Sequence, residues 1–340
     1  MRVGIVGTGF MGRTHAAAWS ATEAVISGFV SLNKAMAEPI ARQYQTTAFD
    51  SFAAMLEEVD IVDICTPTHL HHGMVLEAAQ AGKHIICEKP LARTIKEGQE
   101  MIAACKAAGV QLIVAHVVRF FPEYALARKQ VHDGQIGNPA VLRLTRGTFQ
   151  PKKTEDNWFV DFAKSGGMML DLMIHDLDYA RWVAGEVETV YAKKISSEHA
   201  GAHVDHGLVI LRHRSGAISH VEGSWAYPPP LFRTRFEIAG SNGLLQHDSA
   251  DTAAIGLHLR GSGDEDIPDV PLPSSPLIED PYTTEVKTFY RSLLNGEPAP
   301  VSGAEGLAAL QLALAGIESA ESGFPVTIDQ LPEVKEEKRS

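Results

Sequence analysis

The stretch VGIVGTGFMGRTH, residues 3–15, constrains this chain more than any other. A short apolar strand runs into Gly7, Gly9 and Gly12 and then into a helical pattern. G-x-G-x-x-G between a strand and a helix is the context of a dinucleotide-binding βαβ unit. Gly7 allows the tight turn, Gly9 lets the backbone approach a pyrophosphate, and Gly12 lets helix and strand pack closely. Phe10 and Met11 complete the loop, at a helix start whose free N–H groups favour phosphate. The next hundred residues continue the theme. Strands at 28–32, 61–66, 84–88 and 110–116 alternate with helices at 35–44, 52–58, 69–81 and 95–108. That alternation predicts a parallel sheet with right-handed crossovers.

After about residue 120 the period changes. A helix at 123–132 gives way to AVLRLTRGTF, ETVYAKKIS, HGLVILRH, AISHVEGSWAY and RTRFEIAG, alternating segments joined by glycine-rich turns. This predicts an antiparallel sheet and an α+β second domain. One long helix is expected over 166–184, a proline-rich loop over 261–282, helices at 283–294 and 304–321, and a frayed tail at 333–340. The expected division is a dinucleotide-binding domain over 1–120 and a second domain over 121–340.

The 42 acidic side chains outnumber 30 basic ones, for a net charge of -12, which disfavours nucleic acid and anionic membranes as partners. Cys65, Cys87 and Cys105 lack metal spacing and read as reduced, buried thiols. With no leader pattern and no apolar run of spanning length, a cytoplasmic location is expected. No metal is expected: the histidines are scattered, and HLHH at 69–72 has no paired cysteine or downstream ligand cluster.

Where NAD binders carry an acid after the second strand, this chain has Ser31, Asn33 and Lys34. Hydroxyl, amide and ammonium donors suit a 2′-phosphate, so NADP(H) is favoured over NAD(H). HIICEKP at 84–90 ends a buried strand with Glu88, Lys89 and Pro90. Ligands of such sheets sit beyond the strands' carboxyl ends, where Lys89 can stabilise charge on a substrate oxygen. On a continuous helix, Asp171, His175 and Asp178 stand at i, i+4 and i+7 on one face among apolar neighbours. His175 suits general acid–base work, and Asp171 can orient it or hold a substrate hydroxyl.

With these residues in place, the chain resembles the family of glucose–fructose oxidoreductase, inositol dehydrogenase and MocA (Gfo/Idh/MocA) along nearly its whole length. GTGFMGRTH, TPTHLHH, GKHIICEKP, SGGMMLDLMIHDLD, PYTTEVKTF and AEGLAALQLALAGIESAESGFPV carry the resemblance. It implies a Rossmann domain, then an α+β domain with a large open, mainly antiparallel sheet that forms a homo-oligomer interface, here a dimer or tetramer. It also implies hydride transfer between nicotinamide C4 and a hydroxyl or carbonyl carbon, usually of a sugar, sugar derivative or cyclitol. By motif, Lys89 would bind the reacting oxygen, His175 would exchange the proton, and Asp171 would bind substrate or orient His175. Thr66, Pro67, His69, His71 and Glu88 would line the cofactor, with Arg119, Asp178 and Trp158 on the substrate side. Val117 stands where members often have asparagine; Trp158 and Trp225 are both candidates to stack on a sugar face, and both read as core more than as sugar platforms. Two other readings remain: reduction of a non-sugar carbonyl or imine, as in dihydrodiol dehydrogenase and bilin reductase relatives, and a non-catalytic NADP-binding sensor.

Overall fold

The structure is a computed structural model that describes residues 1–151, 157–199, 202–250 and 279–329. The expected frayed tail and most of the expected proline-rich loop lie outside the described residues. The first sheet takes β1 (Arg2–Val6), β2 (Val25–Val30), β3 (Thr47–Ala48), β4 (Ile61–Ile64), β5 (His84–Glu88) and β6 (Leu112–Ala115) in the order β3-β2-β1-β4-β5-β6, and all its pairings are parallel. The order reverses on either side of β1, where dinucleotides bind in such folds. The apolar runs of β1, β4, β5 and β6 are buried from end to end or nearly so, as a sheet covered on both faces requires. The crossovers are α1 (Phe10–Trp19), α2 (Lys34–Gln43), α3 (Phe52–Leu56), α4 (His71–Gln80) and α5 (Ile95–Ala108). Thr94 and Glu97 cap α5 reciprocally, which fixes where it leaves the turn after Lys89.

α6 (Pro122–His132) leads into the second sheet, whose strands are β7 (Pro139–Gly147), β8 (Val187–His199), β9 (Ala202–His213), β10 (Ile218–Ser224), β11 (Arg233–Gly240), β12 (Leu244–Asp248) and β13 (Val326–Thr327). Their order is β12-β11-β7-β10-β9-β8-β13. Every pairing is antiparallel except β7 with β10, so the sheet is mixed at its centre.

The expected helix over 166–184 is three pieces: α7 (Phe162–Ser165), α8 (Gly167–Asp171) and α9 (Ile174–Ala184). Gly166 and Gly167 both take positive φ, which stops α7 and restarts the chain in a new direction. A second break follows at Leu172–Met173, where both N–H groups turn back to the Met168 carbonyl. Asp171 and His175 therefore sit on different helices rather than on one face.

The chain then returns to the first sheet. α10 (Pro281–Asn295) lies against α1, with Tyr290 edge-on to Trp19 at 5.9 Å. α11 (Gly303–Ser322) packs along α5 and β6; Val114 N–H donates to the Val301 carbonyl at 2.9 Å, and Ile113 bridges to Ser302. Among the described residues no helix is long and apolar enough to cross a membrane.

Candidate functional site

Most of the site residues expected from sequence gather at the carboxyl ends of β1, β2, β4, β5 and β6, opposite α8 and α9. Gly7, Gly9, Phe10, Met11 and Gly12 form the loop from β1 into α1. Gly7 has φ 96°, and a Cβ there would sit 2.6 Å from the Cys65 carbonyl oxygen. At Gly12 a Cβ would come within 1.9 Å of the Gly7 carbonyl oxygen, whereas at Gly9 it would meet nothing within 4 Å. Two glycines thus close the loop on itself, and the third leaves its outer side open. Gly9 caps α1 without a side-chain hydrogen bond, so the first-turn N–H groups remain available. That is the cradle a pyrophosphate needs.

After β2, Asn33 accepts from Ala35 N–H at 3.0 Å and caps α2, while Lys34 pairs with Asp50 at 2.5 Å on the exposed surface. After β4, Thr66, Pro67 and His69 form the turn into α4. His71 is buried and turned inward, with Nδ1 3.0 Å from the Pro90 carbonyl and Nε2 2.9 Å from the Thr66 carbonyl. Burial holds His71 below its ordinary value despite these two acceptors. A neutral ring carries one N–H, so it donates to one carbonyl at a time. His71 ties together the turns after β4 and β5.

Lys89 leaves β5 through a cis Lys89–Pro90 peptide. Its backbone N–H donates to Glu88 Oε2 at 2.9 Å. Its Nζ crosses to α8, donating to the Asp171 carbonyl at 2.8 Å and pairing with Asp171 Oδ1 at 3.1 Å. Both side chains are mostly buried, at 16% and 12% exposure, yet each keeps an edge to solvent. His175 opens α9 just beyond the break. Its Nδ1 is buried and has no hydrogen-bond partner among the described residues. Burial, then the positive charges of Lys89 and Arg146, push His175 well below its ordinary value, so the ring is neutral at neutral pH. A neutral imidazole beside an ammonium is a base next to a hydrogen-bond donor.

Asp178 is engaged by another cation. It takes both arms of Arg119, Nε to Oδ2 at 2.8 Å and NH2 to Oδ1 at 2.6 Å, with side chains 3% and 1% exposed. Arg119 also reaches Glu305 Oε1 at 2.5 Å, and the other Glu305 oxygen caps α11 at Ser302 N–H. The Arg119 and Asp178 charges are spent on each other. Trp158 stacks on Phe159, ring centroids 4.1 Å apart, in the turn before α7, and Trp225 lies in the core.

Sequence reasoning missed several buried polar groups. Arg146 on β7 clasps Asp176 at 2.6 and 3.1 Å. His116, the first residue after β6, is buried with both ring nitrogens unpartnered among the described residues; its Nδ1 lies 3.8 Å from Asp178 Oδ2, beyond hydrogen-bond reach. His15 on α1 joins Asp63 to Glu88. No local signal marks these side chains, because their partners lie too far along the chain for spacing to reveal.

Two family models cover most of the chain: an oxidoreductase family with an NAD-binding Rossmann fold over residues 1–116, and a GFO/IDH/MocA C-terminal domain over 124–246. The chain belongs to the Gfo/Idh/MocA oxidoreductase family. Among similar members is the myo-inositol 2-dehydrogenase of Thermotoga maritima, 31% identical, covering 97% of this chain and 99% of the relative. The D-apiose dehydrogenase of Paraburkholderia graminis is 32% identical over 96% of this chain and 89% of its own length. A solved levoglucosan dehydrogenase in complex with NADH and levoglucosan superposes with a TM-score of 0.81 at 26% identity, covering 97% of this chain and 100% of that one. This Gfo/Idh/MocA chain thus shares fold and length with dehydrogenases, and its open glycine loop fits the nicotinamide dinucleotide that the family model implies.

Proposed function

We propose that this family member interconverts a hydroxyl-bearing carbon and the corresponding carbonyl on a sugar, sugar derivative or cyclitol, with NADP(H) preferred over NAD(H). The observation that carries the reading is the meeting of Lys89, from the first sheet, with Asp171 on α8 at 3.1 Å, the lysine being an ammonium whose charge also acts on His175. The named activities of the relatives support the substrate class.

The loop at Gly9–Gly12 and the turns at Thr66 and Glu88 would hold the cofactor, which when bound supplies the hydride acceptor or donor. Lys89 donates to the reacting oxygen and stabilises the negative charge that develops there. His175 takes the hydroxyl proton during oxidation and returns it during reduction. Asp171 holds the ammonium in place before substrate arrives, and its solvent-facing edge accepts from a neighbouring hydroxyl.

The cofactor preference rests on Ser31, Asn33 and Lys34. The exposed Lys34–Asp50 pair contributes at most about 1 kcal/mol, so a 2′-phosphate displaces Asp50 at little cost. We also place the chain in the cytoplasm, in keeping with its three free thiols, and read it as a homo-oligomer joined through the open sheet, which presents Ile195, Leu208 and Ile218 to solvent.

The test is a panel of myo-inositol, scyllo-inositol, levoglucosan, D-apiose, D-glucose and D-xylose with NAD⁺ and NADP⁺, followed at the reduced-nicotinamide absorbance, with Lys89→Met as control. Turnover that Lys89→Met abolishes supports the reading. Silence across the panel with both cofactors, or undiminished turnover in Lys89→Met, refutes it. Fluorescence titration decides the cofactor, and tighter binding of NADH than NADPH overturns the preference.

A further inference from the structure

The helix that opens at the glycine loop also carries His15, one turn beyond Gly12 and fully buried. His15 Nδ1 lies 2.9 Å from Asp63 Oδ2 and 3.1 Å from Oδ1, on β4. On the other side, Nε2 lies 3.1 Å from Glu88 Oε1, at the end of β5. A carboxylate only accepts, so both ring nitrogens carry hydrogen and the ring is an imidazolium. Burial opposes that charge, but Asp63 beside it prevails and holds His15 well above its ordinary value. Trp19 Nε1–H closes the far end with a 2.7 Å bond to Asp63 Oδ2.

Glu88 is shared. One carboxylate oxygen accepts from His15, and the other accepts the backbone N–H of Lys89 at 2.9 Å. An unbroken line of hydrogen bonds therefore runs from Trp19 through Asp63, His15 and Glu88 to the backbone of Lys89. His15, Asp63 and Cys65 also bring three metal-type donors within 4.8 Å of one another. Burial and the nearby Asp63 push the Cys65 thiol up, which leaves His15 as the group that joins the two carboxylates.

We infer that His15 is a positioning residue for Lys89, acting through Glu88. The imidazolium fixes the carboxylate, and the carboxylate fixes the strand end from which the lysine reaches Asp171 and the crevice. The same helix supplies the first-turn N–H groups of the cofactor cradle, so a single rigid element sets both the cofactor loop and the lysine. The inference rests on the role proposed above for Lys89. A residue that merely filled the core would change stability and leave the folded enzyme's turnover alone.

The experiment compares His15→Leu, His15→Gln, Glu88→Gln, the double variant His15→Leu/Glu88→Gln and Lys89→Met. Turnover is read with the polyol most rapidly oxidised in the panel above. His15→Leu is expected to lower kcat by on the order of 10²-fold, the cost of a misplacement near 1 Å, with KM and NADH affinity little changed. His15→Gln keeps an amide donor toward Glu88 and should recover most of the loss. The double variant should be no slower than the slower single, because both act on one link. A readout without substrate or cofactor is the acetylation rate of Lys89, measured by peptide mass spectrometry against exposed Lys106; it should rise several-fold in His15→Leu. If His15→Leu does not fold, Glu88→Gln breaks the same link from the other side, and because Glu88 also flanks the cofactor turn, its readout is the cofactor-free acetylation of Lys89, which should rise several-fold; an unchanged rate overturns the inference. Wild-type kcat and acetylation in the folded variant, alongside an inactive Lys89→Met, overturn the inference alone. Activity that survives in Lys89→Met overturns the lysine's role beneath it.

Discussion

The Arg119–Asp178 pair separates two roles for the same residues, substrate contact and internal support. The pair is bidentate, with side chains 3% and 1% exposed. Removing one member of a buried pair costs about 3–5 kcal/mol, because the survivor's charge stays buried and unpaired. In Asp178→Ala the guanidinium keeps its bond to Glu305, which is 29% exposed, so the loss falls near the lower end, about 3 kcal/mol. That is on the order of a 10²-fold shift toward the unfolded state. Arg119→Met/Asp178→Leu removes both charges and leaves Glu305 to be hydrated at its exposed edge. The double variant should therefore be more stable than Asp178→Ala. Urea unfolding, fitted with a common m-value, measures all three proteins. A double variant as unstable as Asp178→Ala, or a stable Asp178→Ala with only a raised KM, refutes the reasoning and returns Asp178 to the substrate.

Other outcomes follow from single observations. Gly9→Ala should melt like the wild type but bind NADH more weakly, whereas Gly12→Ala should lose binding and about 1–3 kcal/mol of stability; unchanged NADH binding in Gly9→Ala refutes the open-cradle argument. His175 lies below its unfolded value of 6.5, so the unfolded chain gains the proton first on acidification, and this histidine's contribution to stability falls as pH drops below 6.5. For the same reason the acid limb of kcat/KM for oxidation should lie below pH 6.5, and a limb at or above 6.5 contradicts a neutral base. Glu285 is fully buried with both oxygens unpartnered among the described residues, and burial holds it well above 4.5. Its folded form retains a proton that the unfolded chain releases, so it lowers stability as pH rises past 4.5. Glu285→Gln should raise the melting temperature at pH 8 and not at pH 4, and a destabilised variant at pH 8 would contradict this.

What could be read from the sequence was what local spacing encodes. The glycine loop, the strand–helix alternation and the strand-end Lys89 depend on residues a few positions apart, and both sheets follow from those periods. The break inside 166–184 was hidden because Asp171, His175 and Asp178 fit a helical face, and the two glycines before them read as a helix start. The packing that bends the chain there comes from another part of the molecule: Met168 and Met173 lie against Gly207 and Gly223 on β9 and β10. The polar wiring was hidden for the same reason. His15 meets partners 48 and 73 positions away, Arg119 meets Asp178 at a separation of 59, and Glu305 lies 186 residues from Arg119. Such pairs are consequences of the folded topology and leave no local period.

The return of the chain's last long helix to the first sheet has a consequence for how the protein is made. Val301 and Ser302 complete the edge at β6, and Glu305 completes the clasp on Arg119. On the ribosome, the nucleotide-binding half is synthesised long before these residues emerge. Until they do, its outermost strand lacks a neighbour and Arg119 lacks one of its two acids. The enzyme's working shape is thus withheld until α11 has been made, and a chain cut short before it carries the glycine loop and Lys89 without the helix that packs on α5 and β6.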